Sequence, residues 1–364
     1  MKRFTFLVLI VLTLAGIVSA SLFYPHTHNV LRVNAGINEL GNSNSKILQC
    51  LWNKLVGVGV YFKKTKNISA QVAASQPENK TEAAASFPVA GDKIKILFLG
   101  DMMFDRWIRE VSEKRGNDFV FEKVKNLLQS EDLVVGNLEG PITNKPSVSV
   151  ASEFGSGENY IFTFAPETAG ELFKENIKLV NIGNNHILNQ GEAGLADTEK
   201  YLSDAEVGFF GDPNKVENGK LYKLSNLKIA FVNYNQFVAD AKNKTLKEIE
   251  SAKEQGADLI ILYTHWGTEF AGEPGQKIKN LAREFIDAGA DLIIGSHPHV
   301  IQIKEVYKNK SIYYSLGNFI FDQYFRDDTQ KGMGVEATID PATKKIDFKE
   351  YNFSLLKNGQ TVQN

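Results

Sequence analysis

The sequence predicts an α/β protein with a largely parallel or mixed sheet. Two observations predict it. From Lys93 onward, short apolar runs of strand length alternate with stretches of helical periodicity. Nearly every apolar run also ends in glycine or a polar, ligand-capable residue, as strands do where the carboxyl edge of a sheet lines a crevice.

In chain order the expected strands are Ile94–Leu99, Leu133–Val135, Lys178–Ile182, Lys228–Val232, Asp258–Tyr263, Asp291–Ile294 and Ser311–Ser315. The helices expected between them are Val120–Leu128, Pro166–Lys174, Glu192–Ala205, Leu246–Glu254 and Gln276–Ala288. Gly334–Asp340, a Pro341-Ala342-Thr343 turn and Lys345–Phe353 read as a terminal β-hairpin. No fixed-period repeat interrupts this order, so one domain over 92–357 and a short tail over 358–364 are expected.

The N-terminus reads differently. After the basic start Met1-Lys2-Arg3, residues 4–25 carry no charge. A helix needs ~20 apolar residues to cross a bilayer core, so the segment is long enough to span. Val18-Ser19-Ala20 resembles a cleavage site, which would make it a removed signal and the protein secreted. Apolarity continues through Leu22-Phe23-Tyr24, and this favours an uncleaved single-pass anchor in the cell membrane with the domain outside the cytoplasm. Residues 26–91 are expected to form a mostly disordered stalk, rich in Ala, Ser, Lys, Pro and Gln, with one short amphipathic helix at 45–62. His26 and His28 lie there without further ligands. Cys50 is the single cysteine, which excludes an intrachain disulfide and a four-cysteine zinc site. A net charge of −2 gives no basis for nucleic-acid binding.

The strand ends carry the chemistry. Asp101 and Arg106 follow the first strand, Asn137 and Glu139 the second, and Asn184, Asn185 and His186 the third. His265 and Glu269, then His297 and His299, then Asn318 and Asp322 follow later strands. Singly, a Gly-Asp pair reads equally well as a turn and a lone histidine as a core residue. Jointly they do not, because four of the six histidines fall in these motifs together with carboxylates. Imidazole, carboxylate and amide donors of this kind suit one or two divalent ions, with Mn, Fe, Zn and Ni all compatible. Pro298 between His297 and His299 lets both imidazoles address one site or two neighbouring ones. No Gly-x-Ser-x-Gly elbow follows any expected strand, which disfavours a serine hydrolase.

The ordered series LGDMMFDR, NLEGPIT, GNNHILNQGEAGLADT, HWGTEF, GSHPHVIQ and YSLGNFIFDQ resembles the capsule-synthesis protein CapA family, associated with poly-γ-glutamate capsules. That family is similar to calcineurin-like metallophosphoesterases, so the resemblance implies a four-layer α/β/β/α sandwich with a metal centre. It covers about Ile94 to Asp322. It implies Asp101, Asn185, His265, His297 and His299 as metal ligands, with His186 as general acid or charge stabiliser. It also implies action on an anionic capsule polymer and membrane-bound capsule-synthase subunits as partners. Two positions depart from the phosphoesterase pattern: Met103 stands where a histidine is usual, and Asn137 where a bridging aspartate is usual. Glu139 is then the carboxylate that would replace it. The functions expected are metal-activated hydrolysis serving polymer synthesis, release or export; phosphomono- or diester hydrolysis; or a non-catalytic scaffold.

Overall fold

The structure is a computed structural model that describes residues 92–215 and 218–364. The anchor, the stalk and its helix, His26, His28 and Cys50 lie outside the described residues. Among the described residues, no helix is long and apolar enough to cross a membrane.

Two sheets form, and period-two alternation within their strands decides what each residue touches. In the first, β1 (Ile94–Met102), β2 (Leu133–Leu138), β3 (Ile177–Asn181) and β4 (Gly208–Phe210) run parallel. Beyond β1, β12 (Lys331–Ile339), β13 (Ile346–Leu355) and β14 (Thr361–Gln363) continue the sheet antiparallel. The expected hairpin is β12–β13, and the residues set apart as a tail supply the edge strand β14. The short β11 (Asn318–Ile320) pairs parallel with the end of β1. The second sheet has the order β5 (Lys220–Leu224), β6 (Leu227–Asn235), β7 (Leu259–His265), β8 (Leu292–Ser296), β10 (Lys310–Tyr313) and β9 (Lys304–Tyr307). Its centre, β6-β7-β8-β10, is parallel.

Ile94, Ile96 and Phe98 of β1 pack against Ile229, Phe231, Ile261 and Ile294 of the second sheet. Their alternates Leu97 and Leu99 turn the other way, into a core with α1 (Arg106–Arg115), α2 (Lys125–Gln129), α3 (Glu167–Lys174) and α4 (Gly191–Asp204). On the far side Ala230, Val232, Ile260, Leu262 and Ile293 meet α5 (Ala241–Glu254) and α6 (Gln276–Ala288) through Ile249, Phe285 and Ile286. The layers therefore run helix, sheet, sheet, helix. Burying one such side chain contributes about 1.5–3 kcal/mol.

Three local differences from expectation have simple causes. Arg106–Arg115 is helical although its sequence is mostly charged; Asp105 caps it by accepting from Arg106 N–H at 2.9 Å, and Ile108 and Val111 supply the buried stripe. The helix expected over 120–128 is a 3-10 turn, Asn117–Val120, followed by the short α2. The strands β4, β5, β9, β11 and β14 are all short or at edges, where too few residues alternate to leave a pattern.

Candidate metal centre

Register places four polar residues side by side across the first sheet. Asn318 pairs with Asp101, Asp101 with Asn137, and Asn137 with Asn181. Across the second sheet Asn235, His265 and Ser296 are aligned in the same way. Apart from Asn318, which opens β11, both rows sit at the carboxyl ends of parallel strands, so they face each other at one end of the inter-sheet layer. Asp101, Asn137, Asn181, His265 and Ser296 are fully buried. The loop after β3 brings Asn184, Asn185 and His186 to the same place, and the loop after β8 brings His297 and His299.

His297 and His299 adopt positive φ angles, 96° and 58°. For a non-glycine residue such a backbone costs of order 1–3 kcal/mol and persists only when its surroundings hold it. His297 N–H donates to Asp101 Oδ2 at 3.1 Å, which ties the strained loop to β1.

The hydrogen-bond partners fix which ring nitrogen of each histidine faces inward. Asn189 Oδ1 accepts from the backbone N–H of Phe162, so it is an oxygen, and His186 Nδ1–H donates to it at 3.0 Å. Asn318 Nδ2 is committed to Thr329 O and Gln323 Oε1, so its Oδ1 accepts from His299 Nδ1–H at 3.0 Å. Ser296 Oγ donates to Thr264 O and accepts from His265 Nδ1–H at 3.0 Å. In neutral His186 this leaves Nε2 with a bare lone pair. His265 Nε2 lies 2.8 Å from Asn185 Oδ1, and His265 Nδ1 lies 3.4 Å from Asn137 Nδ2. An imidazole whose outer N–H is held by an oxygen is the usual arrangement of a metal ligand.

The charges point the same way. Glu139 is fully buried, and its Oε1 has no hydrogen-bond partner although His299 Nε2 is 3.5 Å away. Burial, and then the neighbouring Asp101, push its carboxyl well above the usual range. Burial pulls His297 down to about 3 and His186 to about 4, and holds His265 well below its ordinary value. The buried Nδ1 of His297 also lacks a partner. Neutral His186, His265 and His297 and the unpartnered oxygen of Glu139 are what a divalent cation would satisfy. Two groups have ligand atoms mutually within 4.8 Å: Asp101, Glu139 and His265; and Glu269, His297 and His299. The donor set fits one or two such ions.

A cavity of about 360 Å³ opens beside this cluster, with His186, His299 and Glu269 on its wall. Arg106 also lines it, its guanidinium lying 5.1 Å over Phe162 and 5.5 Å over Phe321 and paired with Asp322. Asp105 holds the far wall: its Oδ2 accepts from Ser149 Oγ and from Thr163 N–H, both at 2.7 Å.

All the residues singled out at the strand ends lie at or beside this cluster. Met103 is not a failed ligand: it is buried in the helix-side core, where its Sδ accepts from Asp105 N–H at 3.0 Å. Asn137 turns its Nδ2, not its oxygen, toward Asp101 Oδ1 at 2.8 Å. Glu269 stands with His297 and His299 as a potential ligand. Asn318 and Asn184 hold neighbouring groups by hydrogen bonds. Unprotonated His186 must first take up a proton before it can serve as a general acid. Ser296 and Asn189, which contact two of the rings, stand in the sequence only as parts of GSHPHVIQ and GNNHILNQGEAGLADT.

A family model for the bacterial capsule synthesis protein PGA_cap matches residues 95–323. The capsule biosynthesis protein CapA of Bacillus anthracis is 31% identical over 299 residues, 72% of this chain and 72% of that protein. The PGA biosynthesis protein CapA of Bacillus subtilis (strain 168) is 30% identical over 262 residues, 67% of each chain. A solved structure described as a novel phosphatase of Mycoplasma pneumoniae aligns with 17% identity and a TM-score of 0.44, over 72% of this chain and 94% of its own.

Proposed function

Since the chain belongs to the PGA_cap family of bacterial capsule synthesis proteins, we propose that it serves the synthesis, release or export of an anionic capsule polymer of the poly-γ-glutamate type by metal-dependent hydrolysis. The uncharged stretch over 4–25 supports a membrane-anchored protein working outside the cytoplasm, next to membrane-bound synthase subunits. One observation carries the hydrolytic reading: of two adjacent ligand groups, the one formed by Glu269, His297 and His299 reaches, through Glu269 and His299, a cavity that also presents a guanidinium.

Asp101, Glu139 and His265 would hold one cation; Glu269, His297 and His299 would hold a second, with Asn185 Oδ1 as a further oxygen donor beside His265. A divalent ion bound there supplies Lewis acidity and lowers the pKa of water from ~15.7 to about 7. Around it the chain's own groups act. Arg106, held between Phe162 and Phe321, offers positive charge to an anionic substrate group. His186 Nε2 is a lone pair on the cavity wall, able to take a proton and then return it to a leaving group. The apolar rings of Phe162, Phe270 and Phe321 limit water access from the cavity side.

A non-catalytic scaffold is the second reading, and Asn137 favours it, since its N–H occupies the place where a bridging carboxylate is usual. Full-length protein in detergent, assayed by elemental analysis and by hydrolysis of polymer and of a generic phosphoester, separates the readings. Stoichiometric metal together with turnover lost in His297→Ala supports hydrolysis. Phosphoester turnover without polymer cleavage points to an esterase. Metal without any turnover points to the scaffold, and no metal at all sinks the hydrolytic reading.

A further inference from the structure

Behind Asp101 lies a chain of buried amides that touches no candidate ligand until its last member. Asn233, on β6 of the second sheet, donates from Nδ2 to Asn181 Oδ1 at 2.8 Å. Asn181 donates from Nδ2 to Asn137 Oδ1 at 2.8 Å, and Asn137 from Nδ2 to Asp101 Oδ1 at 2.8 Å. The exposures of these residues are 6% for Asn233 and 0% for Asn181, Asn137 and Asp101, so water does not stand in for any link.

The direction of the chain is set by backbone groups whose roles are unambiguous. Asn181 Oδ1 accepts from Gly183 N–H, so its Nδ2 must be the atom facing Asn137. Asn184 Oδ1 accepts from His186 N–H while its Nδ2 donates to Leu138 O, and that same Nδ2 also reaches Asn137 Oδ1 at 3.2 Å. Two donors anchored separately thus hold the oxygen of Asn137 away from the centre. Its N–H is left pointing at Asp101. Gly183 makes room for the first link, because a Cβ there would lie 2.3 Å from Asn233 Oδ1.

We infer that Asn233 and Asn181 are positioning residues for the metal centre, acting through Asn137. The relay crosses from one sheet to the other, orients one oxygen of Asp101 and prevents Asn137 from ligating through its own oxygen. Aligned amide dipoles strengthen one another in a low-dielectric interior, so each link reinforces the next. Groups that orient a ligand from behind are worth roughly 10-fold to 100-fold in metal affinity when removed. The inference rests on the metal-binding reading above but not on turnover.

The test is calorimetric titration of Mn(II), and separately Zn(II), into metal-stripped full-length protein. Asn181→Leu, similar in shape but without donor or acceptor, is expected to lose roughly 10-fold or more in affinity. In an Asn137→Leu background the same change should add little, because the relay is already cut. Should Asn181→Leu fail to fold, Asn233→Leu with Asn137→Leu closes the same cycle from the far end. Wild-type affinity in the folded variants overturns the relay, and so does a loss that is simply additive with Asn137→Leu. Absence of binding in the wild-type chain overturns the relay and the metal centre together.

Discussion

Glu139 is buried beside Asp101 with an unbonded oxygen, an arrangement that costs the metal-free fold stability at neutral pH. Its carboxyl is raised, so its contribution is favourable at low pH, where it is protonated, and is lost as pH rises through the shifted range. Glu139→Gln removes that burden. The variant should unfold at the same or a higher temperature than wild type without metal at pH 7.5, and should lose most of the thermal gain wild type shows on adding Mn(II). A metal-dependent gain equal to wild type would remove Glu139 from the ligand set. Asn318 makes a similar prediction from outside the ligand set: Asn318→Ala leaves Nδ1 of His299 with Asp101 Oδ2, 3.2 Å away, in place of the amide oxygen, and roughly 10-fold weaker metal binding is expected by calorimetry.

Among elements, the short β11 matters more than its three residues suggest. It lies so close to β1 that a Cβ on Gly100 would fall 2.0 Å from Gly317 O, and Gly317 itself adopts a φ of 68°. Gly100→Ala should therefore push β11 off β1 and carry Asn318 away from His299. We expect lowered stability by urea unfolding together with lost metal stoichiometry. Helix α6 provides the contrast. Phe285 is fully buried in the outer core, away from the centre, so Phe285→Ala should cost about 3–5 kcal/mol while the folded protein keeps wild-type metal stoichiometry. A loss of metal in that variant would show that the outer helices help to set the centre.

For the whole molecule, pH and metal act on one equilibrium. His186 and His297 have folded-state values of about 4 and about 3, below the unfolded value of 6.5. Unfolding therefore takes up protons, and their contribution, present above pH 6.5, is lost as pH falls toward 4. In metal-free Glu139→Gln, where the opposing carboxyl is gone, chemical denaturation should show stability falling between pH 6.5 and pH 4, by on the order of a few kcal/mol. Saturating metal, which binds only the folded chain, should raise the midpoint at neutral pH and lose that effect as the imidazoles protonate. An unchanged midpoint across this range in Glu139→Gln would mean the buried histidines are not held neutral.

The alternation of Ile94, Ile96 and Phe98 with Leu97 and Leu99 is a property of the sequence, and it suffices for an α/β fold with both faces of a sheet covered. So is the recurrence of Asp101, His186, His265, His297 and His299 after apolar runs, because strand ends in such sheets converge wherever the strands are parallel. Hydrogen-bond direction is a different kind of information. Asn137 is oriented by Asn181 and Asn184, 44 and 47 residues further along the chain, and no local pattern records which amide atom faces inward. Met103 was withdrawn into the core by the same kind of distant packing. Sequence supplied the donor types and their convergence. Tertiary structure decided which atoms face the cation and which stand behind them, because that choice belongs to partners brought together only by folding.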